Sequence, residues 1–320
     1  MLDPTTLFSW EPHVDQRTVH ADTMIVTLGS YVDAGHTQRQ TDEQLLQHLP
    51  NRLLGTFDAD QLIDHTVRRP TITFDRNHFT DYAPHRIALH LVTDTDGRDF
   101  LLLNGPEPSL QWERMAAAVN HLAGQLDVQQ TVLVQTMPAP APHTRPVVVT
   151  PYASDPTLVS TEPVLGTFTL SAAFPGVLTL RMGEAGHPVL GLLAHVPHYI
   201  SDHDFPPATS AMIEALRDAT ALRLPTDGLD LASTMVRQQI DAQVSQSEEL
   251  TAMVEAMERQ FDEFTEKMRI VPPTEQQLPS AEEIGAKFED FLANLGDADP
   301  AAGGDADDGD ADDGEGPRPS

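Results

Sequence analysis

The chain has 320 residues, enough for one large domain or two modest ones, and its 40% hydrophobic but only 6% aromatic content calls for a core of Leu, Val, Ala and Met. Nineteen Lys and Arg against 49 Asp and Glu leave a formal net charge of −30, which repels phosphate backbones and anionic lipid headgroups and argues against nucleic-acid and membrane partners. There is no cysteine, which excludes disulfides, cysteine nucleophiles, thiolate zinc sites and iron–sulfur clusters.

The run from Met24 to Leu28 predicts a buried strand ended by Gly29-Ser30. Asp33-Ala34-Gly35 follows, then a helix from about Thr37 to Leu49, closed by Pro50. Residues 61–70 read as a linker or short helix. Thr71–Phe74 and Ile87–Thr93 read as the two strands of a β-hairpin around a polar loop with Asn77, Asp81 and Pro84. Asp96-Gly97 makes a turn before the strand Phe100–Asn104, and Gly105-Pro106-Glu107-Pro108 is a rigid turn. Trp112, Met115, Val119, Leu122 and Leu126 recur at helical spacing. Thr131–Gln135 and Val147–Thr150 predict strands on either side of a proline-rich loop. Val177–Arg181 and Val189–Ala194 are further strand candidates, and a helix is expected from about Pro207 to Leu222. Strands alternating with helices, several of them continuously apolar, predict an α/β domain with a parallel or mixed sheet over residues 1–228.

Beyond it, Val236, Ile240, Val244, Leu250, Val254, Met257, Phe261, Phe264 and Met268 form one stripe, predicting a single helix of roughly nine turns. Ser280 with Glu283 fits a capping box for a short last helix carrying Ile284, Phe288, Phe291 and Leu295. Residues 229–295 thus form a helical segment. Residues 296–320 hold nine acids and one Arg with almost nothing apolar, and are expected to be a disordered acidic tail; without that −8, residues 1–295 still carry −22. Met1–Trp10 has neither a basic nor an apolar signal-peptide region, and no apolar run is long enough to span a bilayer, so a soluble cytoplasmic protein is expected.

No GxGxxG, Walker A, GxSxG, HExxH or kinase signature is present. Four loops are nevertheless rich in chemistry. In the first, Gly29 to His36, the backbone around Gly35 can receive an anion and Asp33 a sugar hydroxyl, or Asp33 can simply cap the next helix. In the second, two prolines hold Glu107 in place, as a general acid or base needs, or merely stiffen the start of the Trp112 helix. In the third, Pro142 to Pro146, His143 and Arg145 can bind an anion, or Arg145 can pair with a carboxylate of the chain. In the fourth, His195, His198 and His203 lie close to Asp202 and Asp204. Val196-Pro197 between the first two His denies them the spacing of a helical metal pair, so no metal is assigned, and no cofactor. Arg68 and Arg69 stand out in so acidic a chain as a clamp within the fold or across a subunit interface.

In order, DAG at 33–35, VRRP at 67–70, LNGPEP at 103–108 with Trp112, PHTRP at 142–146, GEAGH at 183–187 and AHVPHY at 194–199 resemble the PAC2 family, the proteasome assembly chaperone 2 family, and in particular its actinobacterial branch. The resemblance runs from about residue 20 to 295. It implies a three-layer α/β/α phosphorylase/hydrolase-like core, a β-hairpin insertion used in oligomerisation, placed at about 71–93, and a C-terminal helical lid over a ligand cleft. It also implies a homotrimer and a non-enzymatic role in assembling protein partners. The sequence departs from the pattern at Ser30-Tyr31, where a Gly followed by Trp or Phe is usual, and at Leu193, where Trp is common. Its last residues, Arg318-Pro319-Ser320, are not the hydrophobic-Tyr-x ending of some proteasome partners.

Two functions follow as expectations. One is a homo-oligomeric scaffold or assembly-chaperone-like protein in which the loops are structural. The other is a small-ligand binder or hydrolase/phosphorylase-like enzyme in which Asp33, Glu107, His143, Arg145, His195 and His198 converge at the strand ends, with His198 or Glu107 as acid/base and Arg145 as anion holder.

Overall fold

Periodicity along one strand explains the architecture. In β2 (Thr23–Leu28) every residue is buried, with Met24, Val26 and Leu28 in one apolar cluster and Ile25 in a second. A strand apolar on both faces must be covered on both. The computed structural model describes residues 2–29, 32–160, 167 and 169–269. Those up to 160 and from 170 onward belong to one compact unit, which takes in the C-terminal helices as well as the sheet. The predicted capping box at Ser280, the helix at 284–295 and the acidic tail lie outside the described residues.

The chain runs β1 (Phe8–Trp10), β2, α1 (Thr37–His48), β3 (Asn51–Phe57), α2 (Ala59–Leu62), β4 (Thr71–Asp75), β5 (His78–Ala83), β6 (Ile87–Thr93), β7 (Asp99–Gly105), α3 (Trp112–Gln125), β8 (Gln130–Ala139), β9 (Val149–Ala153), α4 (Phe174–Glu184), β10 (Val189–Pro197), α5 (Pro206–Thr220), α6 (Leu229–Val244) and α7 (Glu248–Arg269). Eight strands form one sheet in the order β1-β3-β6-β7-β2-β8-β10-β9. The centre, β7-β2-β8-β10, is parallel; β6, β3 and β1 continue it antiparallel on one side and β9 on the other. On one face Met115, Val119 and Leu122 of α3 and Leu178 and Met182 of α4 pack with Val26, Leu103 and Leu133. On the other, Leu45 of α1 and Met212, Ile213 and Leu216 of α5 pack with Ile25, Leu102, Val132 and Val134. The result is the expected three-layer α/β/α core.

Three local predictions are corrected. Residues 177–181 lie in helix α4, not in a strand. A short apolar run fits either state, and here Pro175 suits the first helical turn while Phe174, Leu178 and Met182, four apart, present one buried stripe. The hairpin is β4 with β5; β6, expected as its second strand, instead joins the main sheet beside β7. The physical difference is burial: β6 is buried along most of its length, whereas β4 and β5 are exposed almost throughout. The nine-turn C-terminal helix is two helices, because Ser245-Gln246-Ser247 interrupts it and the Ser247 hydroxyl accepts the Leu250 N–H at 3.3 Å as a new N-terminal cap.

Candidate functional site

The four chemically dense loops all leave the carboxyl ends of the parallel strands: 29–36 after β2, 105–111 after β7, 140–148 after β8 and 198–205 after β10. The chain passes from β2 to β7 on one side and then crosses to β8 on the other, so the gap between the ends of β2 and β8 is the switch point at which open α/β sheets usually bind ligands.

Here that gap is bridged by the chain itself. The buried Gln38 of α1 donates its amide to the Val134 carbonyl of β8 at 2.6 Å and to the Leu28 carbonyl of β2 at 3.4 Å. The Thr136 hydroxyl accepts the Ala34 N–H at 2.8 Å and donates to the Val32 carbonyl at 3.2 Å. Asp33 caps α1 with both carboxylate oxygens, accepting the Gln38 N–H at 2.8 Å and the Arg39 N–H at 3.1 Å. Burial raises its pKa, against the pull of those two donors. Gly35 has φ +66° and locks two loops together: its N–H donates to the Ser201 carbonyl at 2.7 Å, and its carbonyl accepts the Phe205 N–H at 2.9 Å. A Cβ there would stand 3.0 Å from the Phe205 Cβ, so Gly is demanded by backbone angle and by space.

The loop after β8 is held by the C-terminal helices. The buried His143 ring contacts the Tyr199 hydroxyl through Nδ1 at 2.6 Å and the Asp241 carboxylate of α6 through Nε2 at 3.0 Å. Burial pushes the Tyr199 phenol up to about 12. Arg145 makes a bidentate pair with Asp262 of α7, at 2.8 and 2.7 Å, and reaches Glu258 at 3.2 Å; the Thr144 hydroxyl also donates to Glu258. The Asp262 carboxyl is held low by that pairing. Val236 and Ile240 of α6 lie on an apolar cluster of Ala34, Val196, Phe205 and Ala208. The two helices therefore cap the carboxyl ends of β2, β8 and β10.

Glu107 and His195 sit apart from this group. Glu107 accepts the Phe174 N–H at 2.7 Å, which makes it the cap of α4; burial raises its pKa, opposed by that N–H and by Arg68. Arg68 donates to the Glu107 carbonyl at 3.4 Å, and Arg69 beside it is exposed. Trp112 donates its indole N–H to the Pro108 carbonyl at 2.5 Å and meets Phe174 edge-on. His195, expected on the fourth loop, instead lies within β10, whose ladder with β8 runs on to Pro197; it bonds Thr150 of β9 at 2.9 Å, and burial lowers its pKa. His198 is exposed, with Nδ1 3.4 Å from the Ala139 carbonyl. Thus His143 and His198 both flank Tyr199, Asp33 and Gly35 share the loop after β2, and Arg145 reaches out to α7, whereas Glu107 and His195 have separate partners. Two surface cavities, of about 210 and 380 Å³, are lined by none of the proposed ligand-binding residues. Among the described residues no group of His, Asp and Glu is arranged to hold a metal ion, and no helix is long and apolar enough to cross a membrane.

Sequence reasoning did not single out Asp42. It accepts from the Thr27 hydroxyl and, at 3.3 Å, from the Asn104 amide, and burial pushes its carboxyl up to about 7. The signal was available: Asp42 lies four residues after Gln38 and three and seven before Leu45 and Leu49, on the inward stripe of α1. Asp241, Glu258 and Asp262 were hidden among the many acids of the C-terminal segment, since nothing local distinguishes a paired acid from a solvated one.

Comparison with known proteins agrees with the motifs. The PAC2 family model matches residues 27–244, over half of the chain. This chain belongs to the PAC2 family. A Mycobacterium tuberculosis protein of unknown function is 35% identical, over 81% of this chain and 92% of its own, with a TM-score of 0.76. A Corynebacterium glutamicum protein of unknown function is 33% identical, over 82% and 98%, with a TM-score of 0.75. A proteasome-assembly chaperone homologue from Mycobacterium tuberculosis shares the PAC2 fold at 22% identity, over 72% and 99%, with a TM-score of 0.66. No functionally curated protein matches the chain.

Proposed function

We propose that this PAC2 protein is a non-enzymatic, homo-oligomeric scaffold of the cytoplasm, assembly-chaperone-like in role and trimeric in state, and that the β4–β5 arm is its self-association element. The observation that carries the reading is the arm. It bears Ile72, Phe74, Phe79 and Tyr82 at 51, 60, 65 and 57% exposure, with Phe74 opposite Phe79 and their rings 5.0 Å apart. A two-stranded hairpin has no core of its own, and this much exposed aromatic surface on a short element marks an interaction site. The arm's surroundings are also less acidic than the rest: residues 61–90 hold four Arg against three Asp in a chain of net −30, so the arm of one copy is not repelled by the acidic surface of another.

The enzyme reading asks for polar groups converging on one cleft. Against it, the switch-point gap is filled by Gln38 and Thr136, and Asp33, Glu107, His143, Arg145 and His195 each have a partner within the chain. Proteasome-related partners enter through the fold shared with the mycobacterial chaperone homologue.

Sedimentation velocity on the wild type and on the double variant Phe74→Asp, Phe79→Asp tests the reading. The wild type should sediment as a trimer and the variant as a monomer with unchanged circular dichroism. A variant that still assembles would overturn the role of the arm. If alanine at Glu107 or His198, but not disruption of the arm, abolished the cellular role, the scaffold reading would fall to the ligand-binding one.

A further inference from the structure

The arm is joined to the body by a pair of imidazoles. His65, just after α2, and His85, just after β5, lie on the two legs of the arm, and their rings are parallel to within 7°, with centroids 5.9 Å apart. The Nε2 of His85 is 3.1 Å from the Arg68 carbonyl. A carbonyl can only accept, so this nitrogen carries a proton, and the bond ties the second leg to the first. The Nε2 of His65 is 3.1 Å from the Asp60 carboxylate, likewise as donor. That leaves Nδ1 of His65 as the position for a second proton, and it is buried with no hydrogen-bond partner.

We propose that the His65–His85 stack is a proton-sensitive joint, closed while at least one ring is neutral and opened when both are protonated. Two neutral rings, or one neutral and one charged, can lie face to face. Two imidazolium cations at this separation repel each other in a partly desolvated site. Imidazoles change charge within the physiological range. Asp60 bonds His65, and Asp64 is adjacent to it in sequence and attracted to it. On the His85 side, Arg86 follows it in sequence, and the Arg68 guanidinium is turned to the Glu107 carbonyl. When both rings are charged, separating them is the available relief. The His85–Arg68 tie is then lost and the arm moves independently of the sheet. Control of assembly by this joint rests on the arm being the self-association element; the joint itself does not.

Hydrogen exchange on the full chain at pH 7.5 and 5.5, corrected for intrinsic rates, separates the two. In the wild type, amides of residues 66–86 should lose protection by about tenfold at pH 5.5 relative to β2 and β8. The double variant His65→Gln, His85→Gln keeps both donors without the titration, and should show no such change. Equal changes in both proteins, or none in the wild type, would overturn the joint. If the variant is misfolded, imidazole NMR of the wild type decides: the stack predicts two coupled titration steps, and two independent, coincident titrations refute it. Sedimentation at both pH values, with the Phe74→Asp, Phe79→Asp variant alongside, isolates the other reading. If that variant still assembles while the wild-type arm loosens at pH 5.5, the self-association role fails and the joint stands. If it dissociates while the wild-type arm is indifferent to pH, the joint fails and the self-association role stands.

Discussion

Arg145 holds Asp262 in a two-point grip, Nε to one carboxylate oxygen at 2.8 Å and Nη2 to the other at 2.7 Å, across 117 positions of sequence. The pair fastens α7 to the loop after β8, and with His143 on Asp241 it seats the C-terminal helices over the strand ends. Bidentate Arg–carboxylate geometry is specific, but a pair this open to solvent is screened by salt. Arg145→Ala, or Asp262→Asn, should raise hydrogen exchange in α7 several-fold and leave the sheet unchanged, and in the wild type added salt should move α7 the same way. Protection of α7 that ignores both would show that Val254 and Met257, buried on the same helix, hold it unaided.

Gly35→Ala should destabilise the fold by roughly 1–3 kcal/mol, through the positive φ and the approach to Phe205. Thermal unfolding reads this as a fall of several degrees. Gly124→Ala, in a helix and with open space where the Cβ would go, is the control and should be neutral or slightly stabilising.

Asp42 gives a pH dependence whose sign is fixed by burial. Its folded pKa, about 7, lies above the ordinary aspartate value of 3.8, so between those values the folded state binds more protons than the unfolded state. Its contribution to stability is full below about pH 4 and is lost as pH rises through 7. Asp42→Asn cannot ionise, and a turn of the Asn104 side chain lets the introduced amide donate to Asn104 Oδ1, which is buried and partnerless. The variant should gain roughly 2 kcal/mol over the wild type at pH 8 and little at pH 4, as urea unfolding at the two pH values would record. An equal effect at both would show that the carboxyl is already ionised throughout.

Glu107→Ala removes the acceptor for the Phe174 N–H and should cost about 1 kcal/mol, as the loss of a helix cap does. Glu107→Gln keeps a carbonyl oxygen in reach and should recover most of it. A charge-dependent catalytic role would instead make the two variants equally defective in function while stability stayed high.

Much of the architecture was legible in the residues because burial leaves a local trace. Strands apolar on both faces, such as 24–28 and 131–135, announce a covered parallel sheet, and six short motifs in order marked the PAC2 family. Where local pattern and burial part company, the reading failed. Residues 177–181 suit a strand or a helix, and contact with the core on one stripe selects the helix. The partner of residues 71–75 is a tertiary fact, because the exposed 78–83 and the buried 87–93 are both capable strands.

The chemistry divides in the same way. Sequence alone placed Asp33, Glu107, His143, Arg145 and His198 on stiff loops, and His195 one residue beyond a strand that in fact contains it, since proline, glycine and strand ends are local signals. It could not say what those side chains face. That was decided only when β2, β7, β8 and β10 came side by side and α6 and α7 folded over their ends. Asp33 and Glu107 then became helix caps, and His143 and Arg145 became anchors for acids about a hundred residues away. A side chain's partner is set by distance in space, and along the chain that distance leaves no mark.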